Sequence, residues 1–211
     1  MVVPSPDFIQ LRRICAGKTW GVTDKQALRA QLRQRRAAHD AAIPANLRSL
    51  LFHRPPAALL DLVPDKAVIS VYHPIPGEAS PLSYARWFAE QGHPVALPWF
   101  AARGSPMTFK LWDNPFDEGT LVPDPYGAMQ PPSGASDAQV GVAIVPLLGF
   151  TAAGQRLGQG GGHYDRLLAA RPDLVPIGLA WDCQLVDELP TQPHDMPLRA
   201  VITPTRFYGP F

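Results

Sequence analysis

"VGVAIVPLLGFTAAGQRLGQGGGHYDRLLAA", residues 140–170, decides the fold. Residues 140–148 are almost continuously apolar, as a strand buried on both faces requires. "HYDRLLAA" then predicts a helix over 163–170, halted by Pro172. Between them, four glycines fall in the five positions 158–162, and Arg156 and Arg166 flank the run. A buried strand, a glycine loop and a helix in succession are the repeating unit of an α/β sheet. The helix start offers unpaired N–H groups and partial positive charge, which suit phosphate. Glycines let the backbone curl and let an anion touch it. No Lys-Ser/Thr pair follows the glycines, so this is not a Walker A loop. The spacing also departs from the dinucleotide fingerprint. The loop reads as an anion site, against the alternative of a surface turn.

Outward from this unit the same alternation continues. Thr23 and Gln26 have capping-box spacing, predicting a helix from Thr23 as N-cap to about Ala38. A second helix is expected over 45–53, ahead of Pro55-Pro56. "AVISVY" (67–72), "PVALPW" (94–99), "MTFKLW" (107–112), "VPIGLAW" (175–181) and "AVIT" (200–203) read as strands, the last one closing the sheet. Ser80-Pro81 predicts a helix start, and Gly92 its end. Residues 113–138 read as mostly loop, and Asp182 as the cap of a short helix. The expected fold is α/β, a three-layer sandwich with a mainly parallel, Rossmann-like central sheet. Residues 1–20 read as an N-terminal extension and 21–211 as a single domain.

The chain has 211 residues, 46% of them hydrophobic and 18% charged, which is a globular composition. A net charge of +1 argues against a protein that coats nucleic acid or acidic membrane. Cys15 and Cys183 are too few and too distant for a disulfide framework or a cysteine zinc site, and fit free thiols in a reducing cytoplasm. The twenty-five prolines predict stiffened loops. No apolar run approaches the ~18 residues of a membrane span, and the start lacks a signal-peptide pattern.

Candidate site residues follow from charge placement. Asp165 lies beside the anion loop. It either complements the helix dipole or holds a cation between itself and phosphate. At 100° per residue, Lys25, Arg29, Arg33 and Arg36 share about 80° of one helix face, beside Leu28 and Leu32. For Arg33 and Arg36 a solvated face is the favoured reading. Glu78, in a turn after a strand, reads by itself as a solvent-exposed loop acid, with a site for ligand amino groups as the alternative. Asp195 either joins Asp165 at a metal or makes a local turn, and His194 reads as a surface residue. The Arg-rich helix lacks the interleaved aromatics of an RNA-binding surface.

Taken in order, "KQALR" (25–29), "PGEAS" (76–80), "VALPWF" (95–100), "MTF" (107–109), "RLGQGGGHYDR" (156–166) and "HDMPLRAVITP" (194–204) resemble the 5-formyltetrahydrofolate cyclo-ligase, or 5,10-methenyltetrahydrofolate synthetase, family. The resemblance covers residues 24–208. It implies a cytoplasmic ligase that uses ATP and Mg²⁺ to close a folate ring. The partner is then a small folate, with no nucleic acid or membrane and a monomer favoured. The resemblance places Lys25, Arg29, Arg156, Gly158, Gly160, Gly161 and Gly162 at ATP phosphates, and Arg156 and Tyr164 at the reacting centre. It places Glu78, Met107 and Tyr164 at the folate, and Asp165 and Asp195 at Mg²⁺. The chain departs from the family pattern at His163, where an aromatic such as Tyr is usual, at Thr151 for Asp and at Pro81 for Thr. Gly161 stands where some members carry Lys. A non-catalytic nucleotide or folate binder is the alternative. Lys25, Arg29, Glu78, Arg156, Tyr164 and Asp165 are the set that separates the two, and all six are present.

Overall fold

The computed structural model describes residues 22–48, 50–192 and 195–211. The expectations for residues 1–20, Cys15 and His194 lie outside them. The helices are α1 (Val22–Ala42), α2 (Ala45–Arg48), α3 (Ala57–Leu60), α4 (Leu82–Glu90) and α5 (His163–Ala170). The strands are β1 (Ile69–Ser70), β2 (Val95–Trp99), β3 (Thr108–Leu111), β4 (Val122–Pro123), β5 (Met129–Gln130), β6 (Val142–Pro146), β7 (Gly149–Phe150), β8 (Arg156–Leu157), β9 (Val175–Leu179), β10 (Ala200–Ile202) and β11 (Phe207–Tyr208).

One seven-stranded sheet has the order β11-β10-β9-β6-β1-β2-β3. The five inner strands are parallel, and the edge strands β3 and β11 pair antiparallel. Numbered along the parallel strands alone, this is the 2-1-3-4-5 order of a doubly wound sheet. Its switch point lies between β1 and β6, where Ile69 pairs with Val142. Ligands of such sheets bind beyond the carboxyl ends of the strands at that point.

Alternation along the strands builds two apolar layers. Ile69, Leu97, Val142, Ile144, Ile177, Leu179 and Ile202 pack with Leu59 of α3 and Tyr84 and Phe88 of α4. Ala96, Ala143, Val145 and Val201 pack on the other face with Leu168 of α5. Phe88 and Leu97 are each fully buried, worth about 1.5–3 kcal/mol apiece. Gly178 allows close cover of the second face, since a Cβ there would stand 2.7 Å from Leu198 and 2.8 Å from Leu147. α1 forms a third, smaller cluster, with Leu28 and Leu32 against Leu148, Leu157, Val186 and Leu189.

Several boundaries differ from expectation. Thr23 is inside α1 rather than at its N-cap, because Val22 is already helical. The helix runs past Ala38 to Ala42, through alanines that favour it, and stops short of Pro44. The helix expected over 45–53 makes one turn only. Phe52 takes φ 54°, outside helical space, and turns its ring onto Tyr84 and Trp181. α3, behind Pro56, was not foreseen. Pro81, not Ser80, is the N-cap of α4, and the Ser80 hydroxyl accepts from Leu82 N at 3.4 Å. Gly92 ends that helix as expected, at φ 83°. Residues 113–138 hold a 3-10 turn at Glu118–Thr120 and the β4–β5 pair. Trp181, not Asp182, precedes the short helix Asp182–Gln184. Asp182 instead accepts from Thr203 and Thr205 hydroxyls at 2.6 and 2.5 Å. β11, after "AVIT", makes the last edge.

Cys183 in that helix is partly buried, and burial pushes its thiol up to about 11 from 9.0. The folded chain then holds this proton where the unfolded chain releases it. Stability from this group is full below 9.0 and is lost as pH rises toward 11. At pH 8 the native thiolate fraction is about 100-fold below that of the unfolded chain. Iodoacetamide labelling in a Cys15→Ser background should be slower by that factor in the native protein. Equal rates would place Cys183 in solvent.

Candidate active site

The cavity at the switch point has a volume of about 1000 Å³. Every candidate residue expected at phosphate, folate or metal lines it: Lys25, Arg29, Glu78, Met107, Arg156, Gly158, Gly160, Gly161, Gly162, Tyr164, Asp165 and Asp195. Residues distant in the chain thus meet in one place.

β6 ends at Pro146, and the β7–β8 hairpin carries the chain to Arg156. Arg156 is 9% exposed. Its Nη2 donates to Asp165 Oδ1 at 2.6 Å and its Nη1 to Met196 O at 2.9 Å. Burial lowers its pKa, while the charges of Asp165 and Asp195 raise it. Asp165 Oδ1 also accepts from Met196 N at 3.3 Å. One carboxylate therefore links α5, β8 and the segment before β10.

The loop needs its glycines. Gly160 has φ 107°, and a Cβ there would lie 3.4 Å from Arg29 Cζ. Gly162 is the left-handed N-cap of α5, at φ 65°. Arg29 Nε donates to Gly158 O at 3.1 Å, and Arg166 Nη2 to Gly161 O at 2.9 Å.

α1 lays its basic stripe along this loop. Lys25 Nζ donates to Asp195 Oδ2 at 2.9 Å and to Gln192 Oε1 at 3.2 Å. Gln192 N donates to the same Asp195 oxygen at 2.7 Å. Arg33 is exposed and bonds Gln159 in the loop. Arg36 contradicts the reading of a solvated face. It is 4% exposed, and its Nη1 donates to Glu78 Oε1 at 3.1 Å. The counter-charge that draws Arg36 inward lies 42 residues further along the chain.

Glu78 ends a tight turn after β1. Tyr72 donates its hydroxyl to Ala79 O, Trp181 Nε1 donates to Gly77 O at 3.0 Å, and Gly77 takes φ 86°. The Glu78 carboxylate accepts from Arg36, from Ile75 N at 3.3 Å and from Gln159 Nε2 at 3.3 Å. Burial raises its pKa, and Arg36 opposes the rise. Tyr164 points its hydroxyl into buried space with no protein partner. Burial and the Glu78 charge raise that hydroxyl's pKa, so it stays a protonated donor. Met107 is half-buried in the cavity wall.

Phe100, Tyr126 and His163 form an edge-to-face trio beside the loop, at 4.8–5.1 Å between centroids. Arg166 Nη2 lies 3.2 Å from His163 Nδ1. Burial and Arg166 lower the His163 pKa, which keeps the ring neutral. Sequence reasoning missed Tyr126, Gln159 and Gln192. Gln159 lay in plain view inside the glycine run, whereas Tyr126 carries no signal of its own.

Four cations line the cavity with Glu78, Asp124, Asp165 and Asp195. Among the described residues, no three His, Cys, Asp or Glu side chains gather as a metal-holding group. Two carboxylates beside an anion loop are a donor set that Mg²⁺ accepts, since it completes its shell with phosphate and water.

A doubly wound sheet with a glycine loop at its switch point, flanked by the half-buried Arg156–Asp165 and the buried Arg36–Glu78 pairs, defines an α/β protein with its cavity beyond the strand ends. The family model of the 5-formyltetrahydrofolate cyclo-ligase family matches residues 22–204. The chain belongs to that family. The 5-formyltetrahydrofolate cyclo-ligase of Escherichia coli K12 is 47% identical over 73 residues, which is 34% of this chain and 40% of that protein. The 5-formyltetrahydrofolate cyclo-ligase of Mycolicibacterium smegmatis is 31% identical over 143 residues, 65% of this chain and 74% of that one. In fold, the chain is similar to the NMR structure of Aquifex aeolicus 5,10-methenyltetrahydrofolate synthetase. The TM-score is 0.68 at 24% identity, covering 87% of this chain and 93% of the other. No helix among the described residues is long and apolar enough to cross a membrane.

Proposed function

We propose that the protein is an ATP-dependent ligase that converts 5-formyltetrahydrofolate to 5,10-methenyltetrahydrofolate with release of ADP and phosphate. The observation that carries this reading is the meeting of the glycine loop, the Arg156–Asp165 pair and the buried Glu78 in one cavity of about 1000 Å³.

A formamide carbon is a poor electrophile and its oxygen a poor leaving group. Transfer of the γ-phosphoryl group to the formyl oxygen corrects both. It forms an O–P bond and breaks the bond to ADP. Nitrogen 10 then attacks the formyl carbon and loses its proton, and the C–O bond breaks to release phosphate. Such transfer demands alignment and fixed positive charge. Lys25, Arg29 and Arg156 supply the charge, and the N–H groups at residues 158–162 contact the phosphate oxygens. Their guanidinium and ammonium groups are already held in place by Asp165, Gly158 O and Asp195, which limits reorganisation on binding. Tyr164 donates its unpartnered hydroxyl at the reacting centre. Glu78 accepts from the amino-bearing ring, and Met107 packs on that ring. Asp165 and Asp195 would hold Mg²⁺, which neutralises phosphate charge when bound.

Purified protein should generate the near-ultraviolet absorbance of the methenyl product from 5-formyltetrahydrofolate only when ATP is present. Folded protein that binds ATP yet yields no such signal would end the reading. Gly160→Ala should weaken binding of a non-hydrolysable ATP analogue about tenfold. A side chain at that positive φ costs about 1–3 kcal/mol, and it crowds Arg29. Calorimetry checks this, and unchanged affinity would mean the loop does not meet the phosphates.

A further inference from the structure

Gln159 sits in the glycine run and has no role in the chemistry described above. Its side chain is tied at both ends. Arg33 Nε donates to its amide oxygen at 3.0 Å, and Arg33 Nη2 donates to its main-chain oxygen at 3.1 Å. Its amide nitrogen donates to Glu78 Oε1 at 3.3 Å, across 81 residues of chain. A guanidinium only donates and an ionised carboxylate only accepts, so the two partners fix which end of the amide faces which.

The other two bonds to Glu78 come from the scaffold. Arg36 is buried, and Ile75 N belongs to the turn that carries Glu78 itself. Gln159 is exposed, so its amide can exchange Glu78 for water at little cost. Its NH₂ group donates to the same carboxylate that the folate assignment gives to an amino-bearing ring. With that bond made, the loop is tethered across the cavity to Glu78. Without it, the loop is held by Arg29 and Arg33 of α1 and by Arg166 of α5.

We propose that Gln159 is a positioning residue: its amide occupies the Glu78 oxygen in the ligand-free protein and yields it to the folate ring, which couples ring binding to anion binding in the loop. The proposal rests on the assignment of Glu78 to the folate. Release of the tether lets the loop settle on the phosphates, so each ligand tightens the other, by the same factor in both directions.

The experiment is calorimetry of AMP-PNP with and without saturating 5-formyltetrahydrofolate, on wild type, Gln159→Ala and Gln159→Met. In wild type, the folate should tighten AMP-PNP about five- to tenfold. In both variants that factor should fall below about twofold, and folate alone should bind about two- to fivefold tighter, because its competitor is gone. Met fills the space of Gln without the amide, so recovery of coupling in Gln159→Met would assign Gln159 to packing and overturn the proposal. Unchanged coupling in both variants would overturn it as well. Weaker folate binding in both would mean that Gln159 contacts the ring directly, against the proposal. Wild-type protein that binds AMP-PNP and no folate would overturn the ring assignment itself, a result read before any variant is made.

Discussion

Replacing Arg156 with alanine will lower turnover by about 10²–10³-fold, the usual loss when one fixed donor to a charged transition state is removed. Arg156 is buried, and its fork is divided between Asp165 and Met196 O. Alanine removes the charge and leaves both acceptors short of a partner, at a cost of about 1–3 kcal/mol in stability. The fold should survive, because the sheet layers do not use Arg156. Asp165→Asn should also lose most turnover. The asparagine oxygen can still accept from Arg156 and Met196 N, so stability should change less. Steady-state kinetics beside urea denaturation separates the two effects. Near-wild-type turnover from Arg156→Ala would remove Arg156 from the reacting centre.

The second large effect is on stability. Arg36 and Glu78 form an ion pair whose side chains are 5% and 6% exposed. Glu78→Ala strands the guanidinium in a buried place, which should cost about 3–5 kcal/mol. Pairing it with Arg36→Met should recover part of that loss, with a coupling of about 0.5–3 kcal/mol. The pH dependence has a definite sign. Burial lifts the Glu78 carboxyl above its ordinary value of 4.5 despite Arg36. Stability from this group is therefore full below 4.5 and is lost as pH rises through the lifted value. Urea melts of wild type and Glu78→Gln across that window should show a falling slope in the first and a flatter one in the second. Additive losses in the double variant would mean that the pair does not interact.

The inner sheet was legible because its strands are apolar on both faces and separated by helical segments. The 163–170 helix formed at its expected limits, since a left-handed glycine precedes it and Pro172 follows. Two-residue strands such as β11 and β8 are too short to show any period, and only their pairing defines them. Phe52 breaks a helical pattern for the sake of rings at Tyr84 and Trp181, which no local reading can see. Arg36 is the clearest case at the site. A basic stripe looks solvated until the turn holding Glu78 is folded against it. The glycine loop could be read because its chemistry lies within ten residues, whereas Tyr126 reaches the cavity only through the path of the segment after β4.

The Lys25–Asp195 bond has a consequence for synthesis. Its partners are 170 residues apart, so nearly the whole chain must be made between them. At about 5–20 residues per second that is about 10–35 s on the ribosome. α1 emerges well before the segment preceding β10. A nascent chain halted after α5 would carry the glycine loop but lack both Asp195 and Met196, so Lys25 and Arg156 would each miss a partner. The Lys25–Asp195 and Arg156–Met196 bonds therefore form late, after the segment before β10 has been made.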